Sequence, residues 1–114
     1  MKITSQLIRQ SLSNGGMTFN NHKQEVKSGF MVSQQKTETV VPISSIKKLK
    51  QDIQEYVDTH KLKDNQYFGL WYNDGKCYID ISTRITTKKQ AIELGKLENQ
   101  LAIFDNKTRQ VIEL

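Results

Sequence analysis

The sequence predicts an α+β domain, in which a mainly antiparallel sheet built from hairpins carries two principal helices on one face, plus a short N-terminal helix. Two strand-like runs flank an Asp-Gly pair at 74–75, and a further pair of strand-like runs closes the chain. Two stretches with helical apolar spacing lie on either side of the first pair. At 114 residues the chain has the length of one domain.

Residues 1–14 are expected to form an N-terminal helical segment, followed by a single α+β domain at 15–114. Ile3, Leu7, Ile8 and Leu12 have helical spacing, which predicts a helix over 2–12 that ends at the following glycines. Residues 17–19 read as a short strand, and 20–27 as a polar loop. The runs 29–33 and 37–41 are rich in β-forming residues and predict a hairpin across 34–36 that ends at Pro42.

The longest helix is predicted over 44–60, where Ser44 or Ser45 caps an apolar stripe. A later helix begins at the capping-box pair Thr87 and Gln90 and ends near residue 99. Gly95 lies within its apolar stripe, which indicates close packing of this helix against the sheet. Residues 101–104 and 110–114 predict the final hairpin around a polar turn.

The Asp74-Gly75 pair is the most specific local signal, because a two-residue type I′ turn fixes the register of both strands. In that register Trp71 lies opposite Tyr78. The apolar face of the hairpin, which we predict to face the core, carries Phe68, Leu70, Tyr72, Cys77, Ile79 and Ile81. The other face carries Tyr67, Gly69, Trp71, Tyr78, Asp80 and Ser82.

The chain has 17 Lys and Arg against 12 Asp and Glu, a net charge of +5 that attracts anionic partners and excludes an acidic mimic of nucleic acid. One cysteine, Cys77, and no apolar stretch of signal-peptide or membrane-spanning length indicate a cytoplasmic protein. His22 and His60 are too far apart in sequence to suggest a zinc site. No metal, cofactor or catalytic motif is expected, and Cys77 reads as a small buried hydrophobe.

Asp80 is the carboxylate of greatest interest, since it lies in mid-strand on the Trp71 face. We expect it to be solvated or paired with Arg84 or a lysine. The alternative is general acid/base catalysis, which would require a partner such as His22.

Tyr67, Trp71 and Tyr78 together have two interpretations. Either the N-terminal helix or the 20–27 loop covers them in a second small core, or they form an exposed patch that binds a protein. With Asp80, Lys47 and Lys48 they make up the predicted partner-binding set, in which the lysines raise the rate of association.

The chain also resembles a small domain encoded by bacteriophages and other mobile elements of bacteria. The resemblance covers roughly residues 15–114, and the matching runs are 15–18, 29–33, 68–71, 74–76, 78–82, 91–95 and 99–105. Such domains look like accessory or counter-defence proteins, and some similar small proteins are anti-CRISPR inhibitors of type II systems. No catalytic residue follows from the resemblance.

Three functions are open from the sequence. The first is an inhibitor that binds a host defence protein or ribonucleoprotein without catalysis, with a type II CRISPR nuclease as the candidate target. The second is a basic nucleic-acid-binding accessory module, for which only weak electrostatic binding is expected. The third is an enzyme that uses Asp80 or His22. The sequence gives no oligomeric state and no membrane partner.

Overall fold

The computed structural model describes residues 1–22 and 26–114 and has the predicted α+β architecture, with three helices and a seven-stranded antiparallel sheet. The helices are α1 (Ser5–Ser13), α2 (Ile46–Thr59) and α3 (Lys88–Leu97). The strands are β1 (Gly16–Phe19), β2 (Phe30–Ser33), β3 (Thr39–Pro42), β4 (Gln66–Asn73), β5 (Lys76–Ile85), β6 (Ala102–Asp105) and β7 (Gln110–Glu113).

The strand order across the sheet is β1-β4-β5-β2-β6-β7, and β3 also pairs with β5. The predicted β4–β5 hairpin is confirmed, since Trp71 pairs with Tyr78 and Asn73 with Lys76. Asp74 and Gly75 have φ values of 52° and 73°, the positive values that a type I′ turn requires at both positions. The β6–β7 hairpin is also confirmed.

The predicted hairpin between residues 29–33 and 37–41 is wrong. Strands β2 and β3 do not pair with each other but lie end to end along the same edge of β5, both antiparallel to it. Ser33 pairs with Ser82 and Thr39 with Ile79, so the five residues 34–38 form a bulge opposite residues 80–81. The ten-residue strand β5 has one long edge, and β2 and β3 together pair with almost its whole length. The backbone hydrogen-bonding groups along this edge therefore have partners.

All three helices pack on one face of the sheet, which was predicted for the two longer ones. The main core joins α1 and α2 to the face of the β4–β5 hairpin that the register assigns to the core, with Phe68, Cys77 and Ile79 almost fully buried. A smaller cluster beneath α3 is built on Val32, Ala91 and Ile103. Among the described residues, therefore, no helix lies on the opposite face of the sheet.

The N-terminal helix is an integral part of the main core. Ile3 and Ile8 are fully buried, and the Ser11 hydroxyl lies 2.7 Å from the Tyr72 hydroxyl of β4. Helix α1 begins three residues later than predicted because Thr4 caps it, accepting a hydrogen bond from the amide of Leu7.

The caps of the two longer helices agree with the sequence prediction. The side chain of Ser45 accepts a hydrogen bond from the amide of Lys48, and that of Thr87 accepts one from the amide of Gln90. A Cβ atom on Gly95 would lie 3.0 Å from Ile103 Cγ2 of β6, which confirms the predicted close approach of α3 to the sheet. Over the described ranges, 1–22 and 26–114, no helix is long and apolar enough to cross a membrane.

Candidate functional site

The face of the sheet opposite the helices contains a groove with a volume of about 300 Å³. Its lining extends from Thr18 on edge strand β1 to Val111 on edge strand β7, so the sheet is curved enough for both edges to border one depression. The groove exists because small residues occupy the centre of this face and large ones its flanks. The central residues are Ser33, Gly69, Asp80 and Ser82, and the flanking residues are Met31, Trp71, Tyr78 and Phe104.

One wall of the groove is the pair Trp71 and Tyr78. Their ring centroids are 5.0 Å apart, as expected for directly opposed residues, and Trp71 remains 55% exposed. Helix α1 does not cover them, because it packs on the other face of the sheet. That part of the second-core interpretation is wrong. Of the 20–27 loop, residues 23–25 lie outside the described residues, and Val26 lines a neighbouring cavity with Trp71.

Asp80 lies at the floor of the groove, and its partner differs from the one expected. The Ser33 hydroxyl donates a 2.8 Å hydrogen bond to Asp80 Oδ2, and the Ser82 hydroxyl lies 3.4 Å from that of Ser33. The expected pairing with Arg84 is wrong, since the Arg84 guanidinium donates instead to Ser28. No lysine forms an ion pair with Asp80 in the part of the chain that the structure describes.

Gly69 makes room for this carboxylate. It pairs directly with Asp80 across the β4–β5 ladder, and a Cβ atom at position 69 would overlap Asp80 Oδ1 and lie 3.6 Å from its Cγ. The backbone of Gly69 does not have a positive φ, so the turn and strand conformation do not require a glycine here. The absence of a side chain at this position serves the placement of the Asp80 side chain.

The electrostatic environment of Asp80 is unfavourable for its ionised form. Burial raises the pKa of Asp80 above its usual value, the hydrogen bond from Ser33 opposes that rise, and the nearby carboxylate of Glu38 adds to it. Glu38 also lines the groove. Among the described lining residues there is no lysine, arginine or histidine to offset these two acids.

The other predicted partner-binding residues lie elsewhere. Tyr67 is on the same face of the sheet, paired with Ser82, but does not line the groove. Lys47 and Lys48 are exposed on α2, in the helix layer on the other side of the sheet, and Lys48 forms an ion pair with Asp52. The aromatic residues and the lysines therefore cannot belong to one compact contact surface.

Sequence reasoning missed the second wall, formed by Met31 and Phe104 with Val111 beside them. These residues come together because β2 pairs with β6 and β6 with β7, so that Met31 lies opposite Phe104 and Phe104 opposite Val111. Because successive side chains of a strand point to opposite faces of the sheet, the sequence can indicate which face each of these residues occupies. No local signal gives the β2–β6 pairing, which joins residues more than 70 positions apart.

Few of the side chains that line this groove could act as catalytic groups or metal ligands. His22 does not line it, and the thiol of Cys77 is buried on the opposite face, where burial raises its pKa to about 11. Within residues 1–22 and 26–114, no three His, Cys, Asp or Glu side chains are grouped as metal ligands would be.

Comparisons with protein-family models, curated proteins and solved structures find no match for this chain. Function is therefore inferred from the geometry of the chain and from its sequence.

Proposed function

We propose that this protein is a non-enzymatic binding protein that recognises a protein partner through the open face of its sheet. The observation that carries the proposal is the exposed Trp71, in contact with the ring of Tyr78 at the wall of a groove that no helix of the described residues covers. Large aromatic residues that are held rigidly yet remain exposed are typical of anchors in protein interfaces. In the context that the sequence resemblance implies, the partner is a host defence effector and the protein a counter-defence factor of a phage or mobile element.

A nucleic-acid ligand fits this groove less well. Nucleic-acid binding draws much of its affinity from lysine and arginine contacts with phosphate, whereas the charged groups that line this groove are the carboxylates of Asp80 and Glu38. The exposed lysines of α2 lie on the other side of the sheet, where they can attract an anionic partner at long range without contacting the groove.

The test is a rescue assay in cells that carry a type II CRISPR nuclease, the candidate target. Expression of the protein should restore phage plating, and Trp71→Ala should abolish the rescue. If Trp71 is an interface hot spot, its truncation costs about 2 kcal/mol or more, roughly a 30-fold loss of affinity. The control is Leu97→Ala, which truncates an apolar residue on α3 that is exposed still more than Trp71 and lies away from the groove. It should leave the rescue intact.

Circular dichroism and thermal melting of both variants separate binding from folding. Trp71→Ala should melt close to the parent protein, because more than half of the indole is already in solvent. Failure to rescue across several type II nucleases would refute this target. A gel shift with DNA or RNA that persists at moderate salt would favour the nucleic-acid-binding alternative instead.

A further inference from the structure

The charge of the groove is opposite to that of the protein as a whole. The chain carries a net charge of +5, yet the groove presents the carboxylates of Asp80 and Glu38 and, among its described lining residues, no basic side chain. An anionic depression on a cationic protein selects ligands by charge at short range. A ligand that enters it must contribute positive charge or hydrogen-bond donors.

Asp80 has an oxygen available to such a ligand. Its Oδ2 accepts from the Ser33 hydroxyl, whereas Oδ1 has no hydrogen-bond donor in the described ranges of the chain. Throughout the described residues no side-chain oxygen or nitrogen is both sealed from solvent and unpaired. Solvent must therefore reach Oδ1, and the groove that Asp80 lines provides the access. A carboxylate this deep without a positive partner is an incomplete ion pair.

The aromatic wall suits a planar cation. Trp71 and Tyr78 line the same groove as Asp80, and Gly69, the cross-strand partner of Asp80, is two residues from Trp71 on β4. A guanidinium group stacks on an indole ring and donates in-plane hydrogen bonds to a carboxylate at the same time. A lysine ammonium would use the carboxylate equally well but cannot stack in this way.

The size and openness of the groove favour a side chain over a free molecule. A volume of about 300 Å³ is at the lower end of small-molecule pockets, which enclose most of the surface of their ligands. This groove is open along the sheet and cannot enclose a ligand. An arginine held in place by the surrounding protein surface needs no such enclosure.

We propose that the groove takes an arginine side chain of the partner protein, with the guanidinium donating to Asp80 Oδ1 and stacking on Trp71. This inference rests on the proposed function, because it names the chemistry by which the same face recognises its partner. Glu38 at the rim adds a second carboxylate to attract the cation.

Trp71 is the single tryptophan of the chain, so its fluorescence reports directly on occupancy of the groove. The probe is a short blocked peptide, acetyl-Gly-Arg-Gly-amide, titrated into the intact protein. The matched control replaces arginine with citrulline, which keeps the shape and planarity of the side chain and removes its charge. We expect saturable quenching at millimolar peptide, with the arginine peptide binding roughly tenfold or more tightly than the citrulline peptide.

The decisive variant is Asp80→Asn, which keeps an acceptor for Ser33 and removes the charge. It should abolish the preference for arginine over citrulline while circular dichroism stays unchanged. Glu93→Gln is the control, because it removes an exposed carboxylate from α3, outside the groove. It should leave the preference intact. Equal binding of both peptides by the parent protein, or an unchanged preference in Asp80→Asn, would overturn the proposal.

Two further probes identify the source of the cation. Free arginine or spermidine binding more tightly than the blocked peptide would overturn the assignment to a protein side chain. Concentration-dependent dimerisation in light scattering, suppressed by Asp80→Asn, would overturn it in favour of a basic side chain from a second copy of this chain. If the peptides show no preference and Trp71→Ala still abolishes rescue, the inference fails and the proposed function stands. A peptide preference without rescue supports the inference and refutes the type II nuclease as the target.

Discussion

Substitution of Gly69 by alanine tests whether this glycine exists to accommodate Asp80. The new Cβ would overlap Asp80 Oδ1, and the carboxylate would have to move or the two strands separate. Movement of the carboxylate threatens its 2.8 Å hydrogen bond from Ser33. Overpacking of this kind costs about 1–3 kcal/mol. Alanine also lowers the conformational entropy of the unfolded chain, which stabilises the folded protein by about 0.4–1 kcal/mol. We therefore expect the free energy of unfolding to fall by about 1–2 kcal/mol in total.

The same substitution should have the opposite sign when the carboxylate is absent. In an Asp80→Ala background the overlapping oxygen is gone, and Gly69→Ala places a β-compatible residue in a strand where φ is already negative or extended. Only the entropic gain remains, so the change should stabilise by about 0.4–1 kcal/mol. The coupling free energy between positions 69 and 80 is then about 2 kcal/mol.

Urea denaturation of the four proteins, followed by far-ultraviolet circular dichroism, measures this cycle. Circular dichroism is preferred to fluorescence because Trp71 lies beside both positions. Equal effects of Gly69→Ala in the two backgrounds, within about 0.5 kcal/mol, would refute the spatial argument. Gly69 would then reflect a property of the strand itself.

Three other predictions concern the core and the floor of the groove. Ile79→Ala should lower the free energy of unfolding by about 2–5 kcal/mol in the same assay, because Ile79 is fully buried in the main core. The thiol of Cys77 should react with Ellman's reagent only at the rate of unfolding, since the side chain is fully buried and its pKa is raised to about 11; rapid labelling at pH 8 would contradict this. Asp80→Asn should melt above the parent protein at neutral pH, because burial raises the pKa of Asp80 in the folded state and its ionisation therefore costs stability. The difference in melting temperature should grow as pH rises from the unfolded value near 4 through the raised folded-state pKa, and should stay constant above it.

Local signals in the sequence were sufficient for the β4–β5 and β6–β7 hairpins and for the caps of α2 and α3. The Asp74-Gly75 turn fixes the β4–β5 register within two residues, so the pairing of Trp71 with Tyr78 followed from the chain without tertiary information. The caps at Ser45 and Thr87 depend likewise on contacts three residues apart.

Pairings between distant strands could not be obtained in this way. Strands β2 and β3 looked like a hairpin because two β-rich runs were separated by a polar tripeptide, but β5 competes for both of them. Its long edge offers more hydrogen bonds than a four-residue hairpin can make. The groove depends on these same long-range pairings, so its aromatic wall on β4 and β5 was predictable and its Met31–Phe104 wall was not.

The expectation for Asp80 failed for a related reason. A carboxylate in mid-strand is usually solvated or paired with a nearby base, and Arg84 was the local choice. In the fold, Arg84 donates hydrogen bonds to Ser28. The end of β2 places Ser33 beside the Asp80 carboxylate, and the bulge that follows β2 places Glu38 near it. A pairing rule based on sequence separation does not describe a strand whose neighbours come from distant parts of the chain.

Three features that each disfavour stability coincide at the groove. A glycine interrupts a central strand at position 69, a carboxylate at position 80 is desolvated without a counter-charge, and Trp71 exposes most of its ring to water. Each could be relieved by one substitution without changing the backbone. Residues that lower the stability of the fold are expected to cluster where a surface is maintained for binding. Destabilising residues without such a role would be scattered over the sheet. Their occurrence together at one groove agrees with the proposal that this groove is the binding site, whatever the identity of the partner.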